Sequence, residues 1–388
     1  MQKFLFTSEQ ISDGHPDKMC DYISDSILDA CLAVDSNARV AVETLAKNNT
    51  VVVAGELTFN GNIDIDQVVR NAVKDIGYED AETGFDYKTC NVINYISKQS
   101  TEIANAVHEK KKPEEFGAGD QGLMIGYATD ETPEAMPLSY VLSTQLIQEL
   151  HSARKNGSIP WLMPDMKSQV TLEYEIQDDK SLKPTHVHTV LVSVQHKKDV
   201  SLETIKEVIQ KEIFSKVIPQ ELTNEKTKYF INPSGSFVFG GPLTDAGLTG
   251  RKIIADTYGG WGGHGGGAFS GKDSTKVDRS GAYAARMIAK NLVKNGLCKR
   301  CKVQVAYGIG VVEPISLYVD SYGSVVEGKT DMDLMKIVQN NFDLRPGMLI
   351  QDLGLDKPIF RKTTLFGHFM PKSDGILPWE KIKNLDMK

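Results

Sequence analysis

The chain has 388 residues, 40% of them hydrophobic and 24% charged, and a net charge of −7. That length exceeds one ordinary core and suggests two or three domains, while the composition is globular and excludes a disordered chain. The acidic balance argues against nucleic acid or a membrane surface as partner, so an anionic ligand has to be held by a local cluster of cations.

A short apolar strand, Lys3 to Thr7, leads into Ser12-Asp13-Gly14-His15-Pro16-Asp17-Lys18. Ile23, Ile27 and Cys31 then recur every four residues, which predicts a helix from near Asp17. Two β-branched runs, Arg39 to Leu45 and Thr50 to Phe59, read as strands; Ile65 to Ile76 is helical and Cys90 to Ile96 extended. The polar stretch Lys98 to Gly119, with Lys110-Lys111-Lys112-Pro113 inside it, is expected to be a mobile loop and a domain boundary.

The middle third predicts a strand (Gly122 to Ala128), a helix (Leu138 to Arg154), two alternating strands (Ser168 to Ile176 and Thr185 to His196) and a helix from Ser201. The last third begins near Pro233 and carries the glycine-dense segment Gly259 to Gly271. A helix from Asp278 to Asn295 follows, then strands Lys302 to Ile309 and Ile315 to Asp320, and a helix over Asp331 to Asn341. Strands mixed with helices in every third predict an α+β protein built of sheet-and-helix layers. No internal repeat is legible by eye.

Cys20, Cys31, Cys90, Cys298 and Cys301 are odd in number and no signal peptide is evident, which fits a reducing, cytoplasmic compartment. Cys298 and Cys301 form the one CxxC and lack the second pair that a zinc site needs; they fit two small residues at a strand start. His186, His188 and His196 fall on alternating strands and are expected on a sheet's solvent face instead of on a metal. No apolar run approaches the ~18 residues of a membrane span.

Gly266-Gly267-Ala268-Phe269-Ser270-Gly271-Lys272 has the spacing of a phosphate-binding loop, whose backbone N–H groups close on phosphate oxygens. Asp273 stands where such loops carry a magnesium-binding hydroxyl, so a plain glycine-rich surface loop is the alternative. Arg251, Lys252, Lys272, Lys276 and Arg279 crowd cations around it and favour a polyphosphate. Asp17 and Asp278 each lie at a helix start; each either caps its helix or binds magnesium, and the neighbouring His15, Lys18, Lys272 and Lys276 favour the metal. Gly117-Ala118-Gly119-Asp120-Gln121-Gly122 is a second glycine-framed acidic turn, either a hairpin or part of a site.

Taken together, these segments closely resemble the methionine adenosyltransferase (S-adenosylmethionine synthetase) family. The resemblance rests on Asp13 to Lys18, Gly117 to Gly122, Gly247-Leu248-Thr249-Gly250-Arg251-Lys252, Gly265 to Asp273, Lys276 to Ser280 and Gly367-His368-Phe369, in the family's order. It implies three similar domains around a pseudo-threefold axis, partly interleaved, near 1–101, 113–232 and 233–388, with a gating loop at 99–112. It also implies a homodimer or homotetramer with active sites shared between subunits.

By position, Asp17 and Asp278 match magnesium ligands, two ions per site, and Glu43 the potassium-site acid. His15, Asp165, Lys167, Ser236, Phe237, Asp245, Arg251, Lys252, Ala268 and Lys272 match ATP-contacting positions, Asp165 near the ribose and Phe237 on the adenine. Glu56, Gln99, Asp120, Asp245 and Lys276 match methionine-contacting positions. His15, Lys167, Lys272 and Arg251 are the expected catalytic set.

The implied reaction forms S-adenosylmethionine from ATP and L-methionine, with hydrolysis of the released triphosphate to pyrophosphate and phosphate. A thioether has no proton to lose, so the lack of a Ser-His-Asp or Cys-His signature is in keeping. The sequence departs from the family at Thr101-Glu102, Ser236, Thr244, Ser274 and Met163, none of them assigned to chemistry except Ser236 at the nucleotide. A nucleotide-binding regulatory homologue without turnover, and a phosphate-loop kinase or ATPase, are the rival functions.

Overall fold

The computed structural model describes residues 2–98 and 112–387. Gln99 and nearly all of the expected gating loop lie outside the described residues.

The chain runs through one pattern three times. The first round is β1 (Lys3–Ile11), α1 (Pro16–Val34), β2 (Arg39–Lys47), β3 (Thr50–Thr58), α2 (Ile65–Ile76), a small ladder of β4 (Glu79–Asp80) with β5 (Phe85–Asp86), and β6 (Asn91–Ser97). The second is β7 (Gly122–Thr129), α3 (Leu138–Lys155), β8 (Leu162–Ile176), β9 (Leu182–His196), α4 (Leu202–Ile209) and β10 (Lys228–Ile231). The third is β11 (Gly247–Leu248), α5 (Val277–Lys294), β12 (Arg300–Tyr307), β13 (Ser316–Asp320) and α6 (Asp331–Asn341), closed by α7 (Pro346–Leu353).

In each round the first strand leaves its own unit. β1 pairs antiparallel with β8, β7 with β12, and β11 with β2. The sheets are therefore ordered β11-β2-β3-β6, β1-β8-β9-β10 and β13-β12-β7. Each has a lent strand, then an antiparallel hairpin; in the first two a parallel strand follows, β6 on β3 and β10 on β9. The loan is cyclic, so the three sheet-and-helix units hold one another closed. The result is a three-unit α+β architecture, and the repeat is one of topology.

Local chemistry explains the elements. His15 Nδ1 accepts the Asp17 N–H and Pro16 opens α1, where a missing N–H costs nothing. Asp64 caps α2, which ends at Gly77 with φ 107°. Thr330 and Asp333 form a reciprocal box at the start of α6. The strands alternate, as in β12, so that Cys301, Val303 and Val305 are buried beneath α5.

Buried charge is paired. Arg286 on α5 donates to Glu380 at 2.8 and 3.0 Å and to the carbonyls of Tyr127 and Ala135, and Lys290 reaches the same carboxylate at 2.8 Å. Glu380→Ala leaves two cations underground, and we expect it to lower unfolding free energy by about 3–5 kcal/mol in denaturant titration. Truncation of exposed Lys336, paired with Asp333 at the surface, is expected to change it by less than about 0.5 kcal/mol. Among the described residues no helix is long and apolar enough to cross a membrane.

Candidate active site

The charged residues singled out by the sequence fall into two clusters. The first gathers where β1 turns into α1. The Ser12 hydroxyl donates to the Pro164 carbonyl at 2.7 Å and accepts the Met166 N–H at 2.8 Å, which pins the turn to the start of β8. Gly14 is obligatory there, because a Cβ would lie 2.3 Å from the Pro164 carbonyl. The pinned turn delivers His15 and Asp17, both buried.

Asp17 does not cap α1; His15 does. The Asp17 carboxylate accepts the Leu248 N–H at 3.0 Å and the Lys252 ammonium at 2.6 Å, with Arg251 at 3.8 Å. Burial first, then Lys252 and Lys167, push the His15 pKa down to about 3, so the ring is neutral. Its Nδ1 accepts from Asp17, so its one proton sits on Nε2, free to donate.

Asp165 stands behind this cluster. One of its oxygens accepts the Gly241 N–H at 2.9 Å, and the other, Oδ1, is buried without a hydrogen-bond partner. Burial pushes its pKa up to about 6 against the pull of Gly241 and Lys167. An orphaned acceptor of this kind suits a hydroxyl-bearing ligand. Exposed Asp245 and Ser236 and half-buried Phe237 lie on the same irregular stretch, 232 to 246.

The second cluster lies on the outer face of the β2–β3–β6 sheet. Alternation turns Glu43 outward on β2 and Glu56 on β3, with Ala41 opposite Glu56 and Glu43 opposite Ala54. Lys272 bridges to Ala41 and so sets the glycine-dense loop along the edge of β2 opposite β3, beside that face. The Lys272 ammonium pairs with Asp278 at 2.6 Å. Lys276 pairs with Asp273, and Gly119 donates to the Thr275 carbonyl at 3.3 Å, which sets the Asp120 turn beside them. Ala268 packs against Gly250, next to Arg251, so the two loops touch.

Profiles of three S-adenosylmethionine synthetase domains match this chain in order: the N-terminal domain over residues 3–101, the central domain over 115–237 and the C-terminal domain over 239–381. The chain belongs to the S-adenosylmethionine synthetase family. The glycine-dense segment lacks the strand-loop-helix setting of a kinase phosphate loop. The phosphate loops of kinases run from a strand directly into a helix, whereas here α5 begins only at Val277, and no strand directly precedes Gly266.

Asp273, in the position of the missing hydroxyl, has a structural part in this chain. It is buried, accepts the Val40 N–H at 2.7 Å and both Thr275 donors, and so stitches the loop to β2. Burial alone would raise its pKa, but Lys276 and Arg39 hold it at about 2.

His196, expected on a sheet's solvent face, is instead buried at the end of β9. Its Nε2 accepts the Phe237 N–H at 3.0 Å while its Nδ1 faces the Lys197 carbonyl at 2.9 Å, and the His196 N–H donates to the Phe237 carbonyl at 3.0 Å. Phe237 is thereby locked at the end of β9. His186 and His188 bond to the Leu222 carbonyl and the Thr189 hydroxyl, and Cys298 and Cys301 are buried free thiols.

Proposed function

We propose that the two clusters bind ATP and L-methionine and transfer the adenosyl group to the methionine sulfur, releasing triphosphate that is then cleaved to pyrophosphate and phosphate. The observation that carries this reading is the pair of partly exposed ion pairs, Lys252–Asp17 and Lys272–Asp278, each at 2.6 Å and each joining a lysine of a glycine loop to an aspartate at a helix start. A polyphosphate entering with divalent cations gives each lysine a phosphate oxygen and each aspartate a metal, so both partners are satisfied by exchange.

Among the described residues no three His, Cys, Asp or Glu side chains gather into a protein-only metal cage. Magnesium needs none, since it keeps waters and phosphate oxygens and takes one or two carboxylates. Asp17 and Asp278 fit as its holders, two ions per site, and outward-facing Glu43 fits a potassium ion. When bound, the ions supply positive charge against the growing charge of the leaving triphosphate.

The chain's own residues do the rest. Sulfur forms a bond to the 5′ carbon as the carbon–oxygen bond breaks, and no proton moves, so the site needs alignment and charge and no general base. Neutral His15 donates its Nε2–H, and Lys167 its charge, to the departing oxygen. Arg251, Lys252 and Lys272 hold the tail. Phe237, fixed by His196, offers a flat face to adenine, and the orphaned Asp165 oxygen takes a ribose hydroxyl. Lys276 faces the methionine carboxylate, and Asp120, Glu56 and Asp245 its ammonium. Gln99 belongs to this reading by position alone.

The working protein in this reading is a cytoplasmic homodimer or homotetramer with shared sites, and its domains divide near 1–101, 113–232 and 233–388. Incubation of purified protein with ATP, methionine, magnesium and potassium tests the activity. A methionine-dependent sulfonium product is expected; nucleotide binding without product would make the chain a regulatory homologue, and methionine-independent ATP consumption at full rate a hydrolase.

A further inference from the structure

α1 carries Asp17, Asp21, Asp25 and Asp29, one every four residues, hence one above another along a single face. Each accepts backbone N–H groups from a distant loop. Leu248 donates to Asp17 at 3.0 Å, Gly250 to Asp21 at 2.8 Å, Gly271 to Asp25 at 2.8 Å, and Phe360 and Arg361 to Asp29 at 3.0 and 2.9 Å. Gly250 and Gly271 have φ of 79° and 80°, a left-handed conformation that turns the chain at the hydrogen-bonded residue. Asp21 and Asp25 are fully buried, and each has a fixed cation on its other side: Lys18 at 2.9 Å for Asp21, Arg279 at 2.6 and 2.7 Å for Asp25. The carboxylates therefore cannot swing to follow a moving loop.

We propose that Asp21 and Asp25 are positioning residues that hang both glycine loops, 247–252 and 265–273, from one rigid helix and so fix the distance between Arg251–Lys252 and Lys272. Successive rungs lie ~6 Å apart along the axis, a spacing set by helix geometry instead of by either flexible loop. Two cation sets that grip one polyphosphate gain from such fixing, because a displacement of about 1 Å at a site can cost 100-fold in rate. This deepens the adenosyl-transfer reading and rests on it for the identity of the polyphosphate. Asp29 hooks the Phe360–Arg361 segment, which belongs to neither loop and reaches the second only through Arg279, and it serves as the comparison.

The test combines hydrogen–deuterium exchange at the Gly250 and Gly271 segments with binding of inorganic tripolyphosphate in magnesium, on the full chain and on Asp21→Asn, Asp25→Glu and Asp29→Asn. An Asn at 21 has one acceptor oxygen and cannot serve both Gly250 and Lys18. A Glu at 25 keeps a charge for Arg279 but moves the carboxylate a methylene away from Gly271. Each is expected to speed exchange in its own loop and to weaken tripolyphosphate at least about tenfold, with Asp29→Asn within about twofold of the parent.

Parent-like tripolyphosphate binding in folded Asp21→Asn and Asp25→Glu overturns the proposal, as does an equal loss in Asp29→Asn. If neither variant folds, the unaltered chain decides: protected Gly250 and Gly271 amides support the ladder, and amides that exchange like open loop overturn it. A parent chain that shows ladder-dependent tripolyphosphate binding but forms no sulfonium sinks the adenosyl-transfer reading and leaves the ladder standing.

Discussion

Lys272→Ala is expected to lower turnover with ATP and methionine about 100- to 1,000-fold while the melting transition stays in place. The two halves of that expectation have separate causes. Lys272 is mostly covered, with 23% of its side chain exposed, and it pairs with the partly exposed Asp278. Losing a pair of that kind costs the fold little, because water takes over the released carboxylate. Losing a fixed positive charge at a departing polyphosphate costs much more, since a site already organised for that charge has nothing to replace it. A turnover close to that of the parent would remove Lys272 from the phosphate site and return the glycine-dense segment to a surface loop.

Asp17→Asn carries the second large effect. Asparagine keeps an oxygen for the Leu248 N–H, so the junction of α1 with the 247–252 loop is retained. It loses the negative charge that pairs with Lys252 and that would hold magnesium. The magnesium concentration for half-maximal activity is expected to rise about 10- to 100-fold, with turnover falling at saturating magnesium as well. Asp278→Asn is expected to do the same from the first turn of α5, which the aspartate does not cap. Unchanged magnesium titrations would leave Asp17 as a tether for Leu248 and Asp278 as a plain partner of Lys272.

Much of the secondary structure was legible because its stop signals are local. α2 and α6 carry their own caps in Asp64, Gly77, Thr330 and Asp333, and their periodicity gave the limits. β8 begins six residues before the alternation suggested, because Leu162 to Met166 is buried throughout and contains Pro164. β1 runs on to Ile11 through Ser8 and Gln10, polar residues that a sequence reader leaves out of a strand. Both are buried and bonded, Ser8 to Ser139 and Gly259, Gln10 to the Ala255 carbonyl. The threefold pattern was not legible from the residues themselves, because each round's first strand pairs in another unit and no contiguous stretch contains a whole sheet.

The site divides in the same way. Residues that bear charge on glycine loops announced themselves, since cations among glycines in an acidic chain have few other uses. The roles of Asp21, Asp25, Asp273 and His196 did not, because what they hold is backbone well removed in sequence: Gly250, Gly271, Val40 and Phe237. A carboxylate that grips an amide more than two hundred residues distant has the same local spelling as one that faces water.

The central claim is that the two glycine loops, one with Arg251 and Lys252 and the other with Lys272, which pairs with Asp278 at the start of α5, grip a polyphosphate tail. A crystal structure with magnesium, methionine and an unreactive ATP analogue tests it most directly. The tail should lie between these loops, contributed by one chain or by two neighbouring copies, with Lys252 and Lys272 turned from their aspartates to phosphate oxygens. A tail bound elsewhere, with both ion pairs still closed at 2.6 Å, would contradict the account.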